Sequence, residues 1–179
     1  AYRRALGTLA RIKSDLAAEL WSAQESFSER IGPAYFGFAD LLLRRAALST
    51  DGPKRLEALR EIQHTLESFR QIELEDYFRD DCVARYLARA RGIEQISAST
   101  AVIYPVPLPD RLELVVTIGS AIHQVTVPVG LARLEGETKT LRALLEKRPT
   151  SQYLPHAKRL YDWILRPLEK ILEQARGDT

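Results

Sequence analysis

The chain has 179 residues, of which 45% are hydrophobic and 28% are charged, and this balance predicts a folded chain with a core of its own. The 26 basic and 24 acidic residues leave a net charge of only +2, which argues against nucleic acid and an anionic membrane as partners. The single cysteine, Cys82, excludes an internal disulfide and a cysteine-built zinc site, and it favours a reduced, cytoplasmic setting. No apolar run approaches the roughly 20 residues that a transmembrane helix needs, and no signal peptide opens the chain. Methionine is absent, even at position 1, which favours an internal fragment or a processed product.

Helical periodicity fills the first fifty residues. Apolar residues at three- and four-residue steps predict a first helix from Leu6 to Arg30. Gly32 and Pro33 are expected to break it, because proline removes a backbone donor and clashes with the preceding turn. A second helix is predicted to begin near Ala34. Residues 1–50 therefore form a predicted helical hairpin, closed by a turn at residues 49–53.

The third predicted helix is the longest and runs from about Lys54 to Tyr77. Its apolar residues recur at steps of three, four and three, which is typical of a packed helical hairpin or a short coiled coil. A short fourth helix is predicted over about residues 81–90, ending at Gly92. Helices are thus expected through residues 54–91.

The pattern then changes to an alternation with a period of two, which is typical of β-strands. Three strands are predicted, at Ala101–Leu108, Arg111–Ile118 and Ile122–Val129. The turns between them contain only Pro109-Asp110 and Gly119-Ser120, and connections this short imply an antiparallel meander. Three prolines within the outer strands cannot donate to a ladder and indicate that these strands are edges or bulged, namely Pro105, Pro107 and Pro128.

Helical spacing returns over residues 131–175, with an interruption at residues 149–151. Pro167 is expected to kink or divide the last helix. The predicted fold class is α+β and mostly helical, with helical hairpins followed by a small three-stranded antiparallel meander and C-terminal helices.

Cysteine chemistry is the first catalytic possibility to weigh, with Cys82 as the nucleophile. A nucleophile needs a base within hydrogen-bond reach, and the only histidines are His64, His123 and His156. No glycine-rich turn places Cys82 on a strained elbow or supplies an oxyanion hole. We therefore interpret Cys82 as a small buried side chain and predict no catalytic residue in the chain.

Metal and cofactor sites are not predicted either. An acidic cluster lies at Glu73, Glu75, Asp76, Asp80 and Asp81, but it lacks the spacing and the glycine of a calcium loop. Capping and interaction with a helix dipole account for its last two members. The glycines are isolated, so no phosphate-binding loop is formed.

Three stretches in a fixed order carry a family resemblance. They are IELEDYFRDDCV at residues 72–83, TAVIYP at 100–105 followed by LPDRLEL at 108–114, and YLP at 153–155 followed by LYDWILRPL at 160–168. Together they resemble the CHAT family, caspase-like domains associated with tetratricopeptide repeats. The resemblance covers residues 51–179 as the N-terminal portion of such a domain, and it makes residues 1–50 the repeat-adjacent part.

The resemblance implies a function that is divided between this chain and its parent protein. Members of the family are caspase- or separase-like cysteine peptidases with a His–Cys dyad, which lies beyond the point that matches Thr179. The position that matches Cys82 is not the nucleophile. The resemblance therefore implies a scaffold or regulatory segment that links helical repeats to a peptidase core, with no cofactor.

Two other functions remain open. A stand-alone helical adapter would bind a partner protein through a groove or along the edge of the small sheet. A self-contained hydrolase would pair Cys82 with one of the histidines. Apolar surface that a missing core leaves exposed also predicts self-association, so a homodimer is a further expected partner state.

Overall fold

The computed structural model describes residues 2–9, 27–78, 100–147 and 151–177. The chain forms two compact units, Ala1–Gly92 and Ile93–Thr179. The predicted architecture is confirmed, since helices predominate and a three-stranded antiparallel sheet lies between them in the chain. The predicted division at residue 50 follows the family resemblance and stays a prediction. The helix predicted near residues 81–90 lies outside the described residues.

The first unit is a helical hairpin. Helix α1 spans Phe27–Leu48 and helix α2 spans Gly52–Phe78, close to the predicted bounds of the longest helix. Asp51 caps α2, because its carboxylate accepts a hydrogen bond from the backbone N–H of Lys54 at 3.2 Å. Residues 2–9 are also helical, and the ring of Tyr2 stacks on Phe38 with 5.6 Å between centroids.

Aromatic side chains make one end of the first unit's core. Phe69 of α2 lies between two rings of α1, 5.2 Å from Tyr35 and 5.4 Å from Phe36 by centroid distance. Ile31 and Ile72 complete this cluster. Rings at these separations add to the stability that their burial provides.

The predicted break at Gly32-Pro33 is wrong, because α1 continues through both residues. Pro33 removes one backbone hydrogen bond and costs the helix free energy. The neighbouring residues offset that cost by packing, since Ile31 and Tyr35 are buried against α2. The ring of Phe69 packs beside Gly32, 3.4 Å from where a Cβ would stand, which is an ordinary van der Waals distance. Tertiary packing therefore overrides the local signal.

The second unit is built on the predicted meander. Strands β1, β2 and β3 span Ala101–Pro107, Leu112–Ile118 and Ala121–Val127, and β2 lies in the centre. Both pairings are antiparallel and run without a bulge over seven residue pairs each. Gly119 has a φ of 55° in the turn between β2 and β3, a conformation that glycine adopts without steric cost.

Three helices follow the sheet: α3 at Leu131–Glu146, α4 at Leu154–Ile164 and α5 at Glu169–Gly177. A short 3₁₀ turn at Arg166–Leu168 separates α4 from α5, so the predicted division at Pro167 is confirmed. Among the described helices, none is long and apolar enough to cross a membrane.

The core of the second unit lies between one face of the sheet and the C-terminal helices. The predicted inward residues of β2 and β3 form it together with Leu168, which is fully buried. Trp163 and Ile164 of α4 pack against the same cluster. Arg133 of α3 stacks its guanidinium over the Trp163 ring at 5.1 Å, which fixes the start of α3 beside α4.

Candidate functional site

The histidines considered as catalytic bases occupy three unrelated settings. His64 is exposed on α2, and its ring Nδ1 lies 3.2 Å from the hydroxyl of Ser68. His123 is half-buried on β3. His156 belongs to a polar cluster between α3 and α4 that is described below. Cys82 lies outside the described residues, so its pairing with a base stays untested.

The acidic cluster is described only in part. Glu73 lies on α2 and is exposed, whereas Asp80 and Asp81 lie outside the described residues. Among the residues that the structure describes, no three histidine, cysteine or acidic side chains come together in a way that would hold a metal ion.

The second face of the sheet carries a buried polar network that sequence reasoning missed. Glu113 of β2 is its centre, and only 3% of its side chain is exposed. Its Oε1 accepts a hydrogen bond from Arg111 Nε at 2.6 Å, and its Oε2 accepts from Gln124 Nε2 at 3.1 Å and Thr126 Oγ1 at 2.9 Å. Arg111 also donates to the carboxylate of Asp110 at 3.1 Å. A buried carboxylate requires such a set of donors, since it is otherwise costly to desolvate.

Alternation predicted only one apolar face for β2, with Leu112, Leu114, Val116 and Ile118 on it. The structure buries every residue of β2 except Ile118, which is half-buried. Val115 on the second face is fully buried, and Tyr104 of β1 lies beside it in register. The sequence hints at this network in two ways: Arg111 lies two residues before Glu113, and β3 contains several polar side chains. The sequence alone does not show that the second face of the sheet is covered.

A second polar cluster joins α3 to α4. Oε1 of Glu137 lies 2.7 Å from Nδ1 of His156 and 2.6 Å from Nε of Arg159, which donates to it. The terminal nitrogen of Arg159 is in turn 2.9 Å from the same Nδ1. The exposed fraction of the Glu137 side chain is 15% and that of His156 is 22%, whereas 43% of the Arg159 side chain is exposed.

The charge state of Glu137 follows from these contacts. Burial acts to raise the pKa of the carboxyl group, but hydrogen bonds from Arg159 and His156, together with their charges, outweigh burial and hold the pKa below its ordinary value. Nδ1 of His156 donates to Glu137 only in the ring form that carries a proton there. The arrangement stabilises a charged carboxylate between two helices, which makes it a cross-link within the hairpin of α3 and α4.

Much of the α3 and α4 surface remains accessible. Neither helix contains a fully buried residue. Large apolar side chains are exposed on both of them and at the residue that follows α4, with 53% of Leu145, 53% of Leu154 and 40% of Leu165 accessible to solvent. Exposed apolar groups are typical of a surface that another protein covers where they form one contiguous patch.

Comparisons with known proteins give no family for the chain: no family model, no curated protein and no solved structure matches it.

Proposed function

We propose that this chain is the non-catalytic N-terminal portion of a CHAT caspase-like cysteine peptidase. In this role it links helical repeats to the peptidase core and serves as a cytoplasmic scaffold with a regulatory effect on that core. The peptide-bond hydrolysis belongs to residues outside the chain. The parent protein is then the enzyme, and this portion needs no cofactor.

The observation that carries the proposal is where the resembling stretches fall in the fold. Residues 108–114 form the turn into β2, where the Leu108 N–H donates to the Arg111 carbonyl at 2.8 Å. Residues 160–168 contain Trp163 and Leu168, which pack against the sheet. Both stretches thus connect secondary-structure elements of the second unit, which supports a framework role for the motifs that carry the resemblance.

The sequence that follows Thr179 in the parent gene tests the proposal directly. A histidine-glycine pair and a later cysteine, each after an apolar strand, are expected there. An immediate stop codon, or a continuation without that dyad, contradicts the proposal.

A peptidase assay separates the roles of the two parts. This chain alone is expected to show only background hydrolysis, and Cys82→Ala is expected to leave the activity of the longer protein unchanged. Replacement of the downstream cysteine by Ala should abolish that activity. A loss of activity on Cys82→Ala, in a protein whose unfolding midpoint is unchanged, would favour the Cys82 hydrolase instead.

A stand-alone adapter is the second candidate, and the exposed leucines of α3 and α4 favour it. A defined partner protein would bind this surface through its own apolar side chains. Leu154→Lys and Leu165→Lys should then each weaken binding of that partner by at least tenfold. Thr140→Lys, on the exposed surface of α3, is the matched control and should leave the affinity unchanged.

A further inference from the structure

The imidazole of His156 makes two short contacts through a single nitrogen. Its Nδ1 lies 2.7 Å from Oε1 of Glu137 on α3 and 2.9 Å from Nη2 of Arg159 on α4. A carboxylate oxygen only accepts hydrogen bonds and a guanidinium only donates them, whereas an imidazole nitrogen has either a proton or a lone pair. In any one form of the ring, therefore, only one of these two contacts is a hydrogen bond.

Arg159 has a donor for each of its two neighbours. Its Nε donates to Oε1 of Glu137 at 2.6 Å, and its Nη2 is placed to donate to Nδ1 of His156 when that nitrogen has no proton. One guanidinium then satisfies both groups, because its N–H groups form a rigid fork. In this form two lone pairs face each other across the 2.7 Å between Oε1 and Nδ1, so the carboxylate and the ring are expected to move apart.

A second proton on the ring reverses the arrangement. Nδ1–H of His156 then donates to Glu137, and this hydrogen bond joins opposite charges, which makes it stronger than one between neutral groups. The Nη2–H groups of Arg159 now face another donor of the same charge. Arg159 has room to turn away, since 43% of its side chain is exposed, against 15% for Glu137.

Glu137 keeps its charge while the ring gains its proton. Burial acts to raise the pKa of this carboxyl group, but the hydrogen bonds and charges of Arg159 and His156 hold the pKa below its ordinary value. Imidazole is the side chain that commonly gains a proton between neutral and mildly acidic pH. His156 is therefore the member of the cluster that changes charge in this range.

The cluster is separate from the other charged groups around α4. Among the described residues, Glu137 and Arg159 are the charged groups within hydrogen-bond or ion-pair distance of His156. The short 3₁₀ turn before α4, Ser151–Tyr153, adds Tyr153 as its one titratable group. The remaining charged or titratable groups of α3, α4 and the following turn have other partners: Arg133 with Trp163, Lys139 with Glu135, Arg142 with Glu146, Lys158 and Arg166 with Asp162, and Tyr161 with Glu169.

We propose that His156 is a proton-dependent switch between α3 and α4. In the neutral ring, Nδ1 accepts a hydrogen bond from Arg159 and the ring proton is on Nε2. In the protonated ring, Nδ1 donates to Glu137 and the Nη2–H groups of Arg159 turn to solvent. A fall in pH thus changes the hydrogen-bond partner of the ring and exposes a cationic group on α4. This device is independent of the proposed peptidase relationship.

Nitrogen NMR of the imidazole rings during a pH titration of the full chain tests the proposal, because it shows which ring nitrogen carries a proton. When His156 is neutral, its proton is expected on Nε2. Arg159→Met removes both donors and should shift the neutral ring to the Nδ1–H form, with Glu137 as acceptor. Arg142→Met removes an exposed arginine of α3 that pairs with Glu146, and this matched control should leave the form of the His156 ring unchanged.

Glu137→Gln provides a second measurement that does not depend on Arg159→Met. Loss of the negative charge should lower the pH at which His156 gains its proton by about one unit, and no lowering overturns the proposal. A neutral His156 ring with its proton on Nδ1 in the unmodified chain also overturns it, as does an Nε2–H form that Arg159→Met leaves unchanged. His64 and His123 are internal references whose ring forms should be the same in every variant, and circular dichroism checks the folding of each.

Discussion

Replacement of Gly130 by Ala tests the packing of the second unit at its tightest point. Gly130 directly precedes α3 and has a φ of −77° and a ψ of 160°, which any residue adopts. A Cβ at this position would lie 2.3 Å from the carbonyl oxygen of Pro109 and 3.2 Å from its carbonyl carbon. The next residue, Leu131, donates its N–H to the Leu108 carbonyl at 2.8 Å, so the two segments have little freedom to separate.

The expected cost follows from this geometry. Nonbonded heavy atoms attract at separations of roughly 3.5 Å. The 2.3 Å separation is shorter than this by about 1 Å. Overpacking costs about 1–3 kcal/mol, and an obstacle made of backbone places Gly130→Ala near the upper value. Alanine also lowers the conformational entropy of the unfolded chain, which stabilises the folded state by about 0.4–1 kcal/mol. We expect a net loss of about 2 kcal/mol, or roughly 8–16 °C in the midpoint of thermal unfolding.

The assay is thermal unfolding followed by Trp163 fluorescence, with Trp21 replaced by Phe so that one tryptophan reports on the second unit. Gly136→Ala is the matched control, because Gly136 lies in α3 and a Cβ there would meet nothing within 4 Å. That variant should be more stable by about 0.5–1 kcal/mol, since glycine destabilises a helix interior. Unfolding of Gly130→Ala at the temperature of the unmodified chain, or above it, would show that the expected clash with Pro109 does not occur.

Three further variants probe other parts of the chain. Arg111→Met leaves the Glu113 carboxylate buried without its cation and should cost about 3 kcal/mol; the double variant with Glu113→Leu should recover part of this loss in urea unfolding, and an equal or larger loss would contradict the pairing. Glu137→Gln should make the stability of the fold depend less on acid pH. Because the pKa of Glu137 is lowered in the folded chain, its carboxylate stabilises the fold above the ordinary carboxyl pKa, and this stabilisation is lost as the pH falls through the pKa of the folded state. The urea midpoints at neutral and acidic pH should therefore differ less in Glu137→Gln than in the unmodified chain. Pro33→Ala restores a donor inside α1 and should stabilise the first unit by about 2 kcal/mol. A lower midpoint in urea would contradict this expectation.

Much of the fold is predictable because apolar residues recur with a clear helical or strand period along the chain. The longest helix and the three strands lie within two residues of their predicted bounds for this reason. The division at Pro167 also follows from local chemistry alone, because proline cannot continue the hydrogen-bond ladder of a helix. At Pro33 the same chemistry is outweighed, because Tyr35 and Ile31 gain more by burial than the helix loses.

The polar clusters are not predictable because they depend on contacts across the chain. Glu137 and Arg159 are 22 residues apart in sequence and meet only when α3 and α4 pack. Glu113 and Thr126 are brought together by the register of β2 against β3. In the sequence each of these residues is indistinguishable from a solvated side chain, since periodicity shows which face is apolar but not whether the opposite face is covered.

The chemistry of these clusters bears on whether they act in catalysis or in folding. A general acid or base works best when its pKa lies near the working pH. The pKa of Glu137 is displaced in the other direction, below that of an ordinary carboxyl group, so at neutral pH this group remains an acceptor and has no proton to give. Both oxygens of Glu113 are likewise occupied by donors that the sheet itself supplies. Each carboxylate therefore holds together two segments that are distant in the sequence.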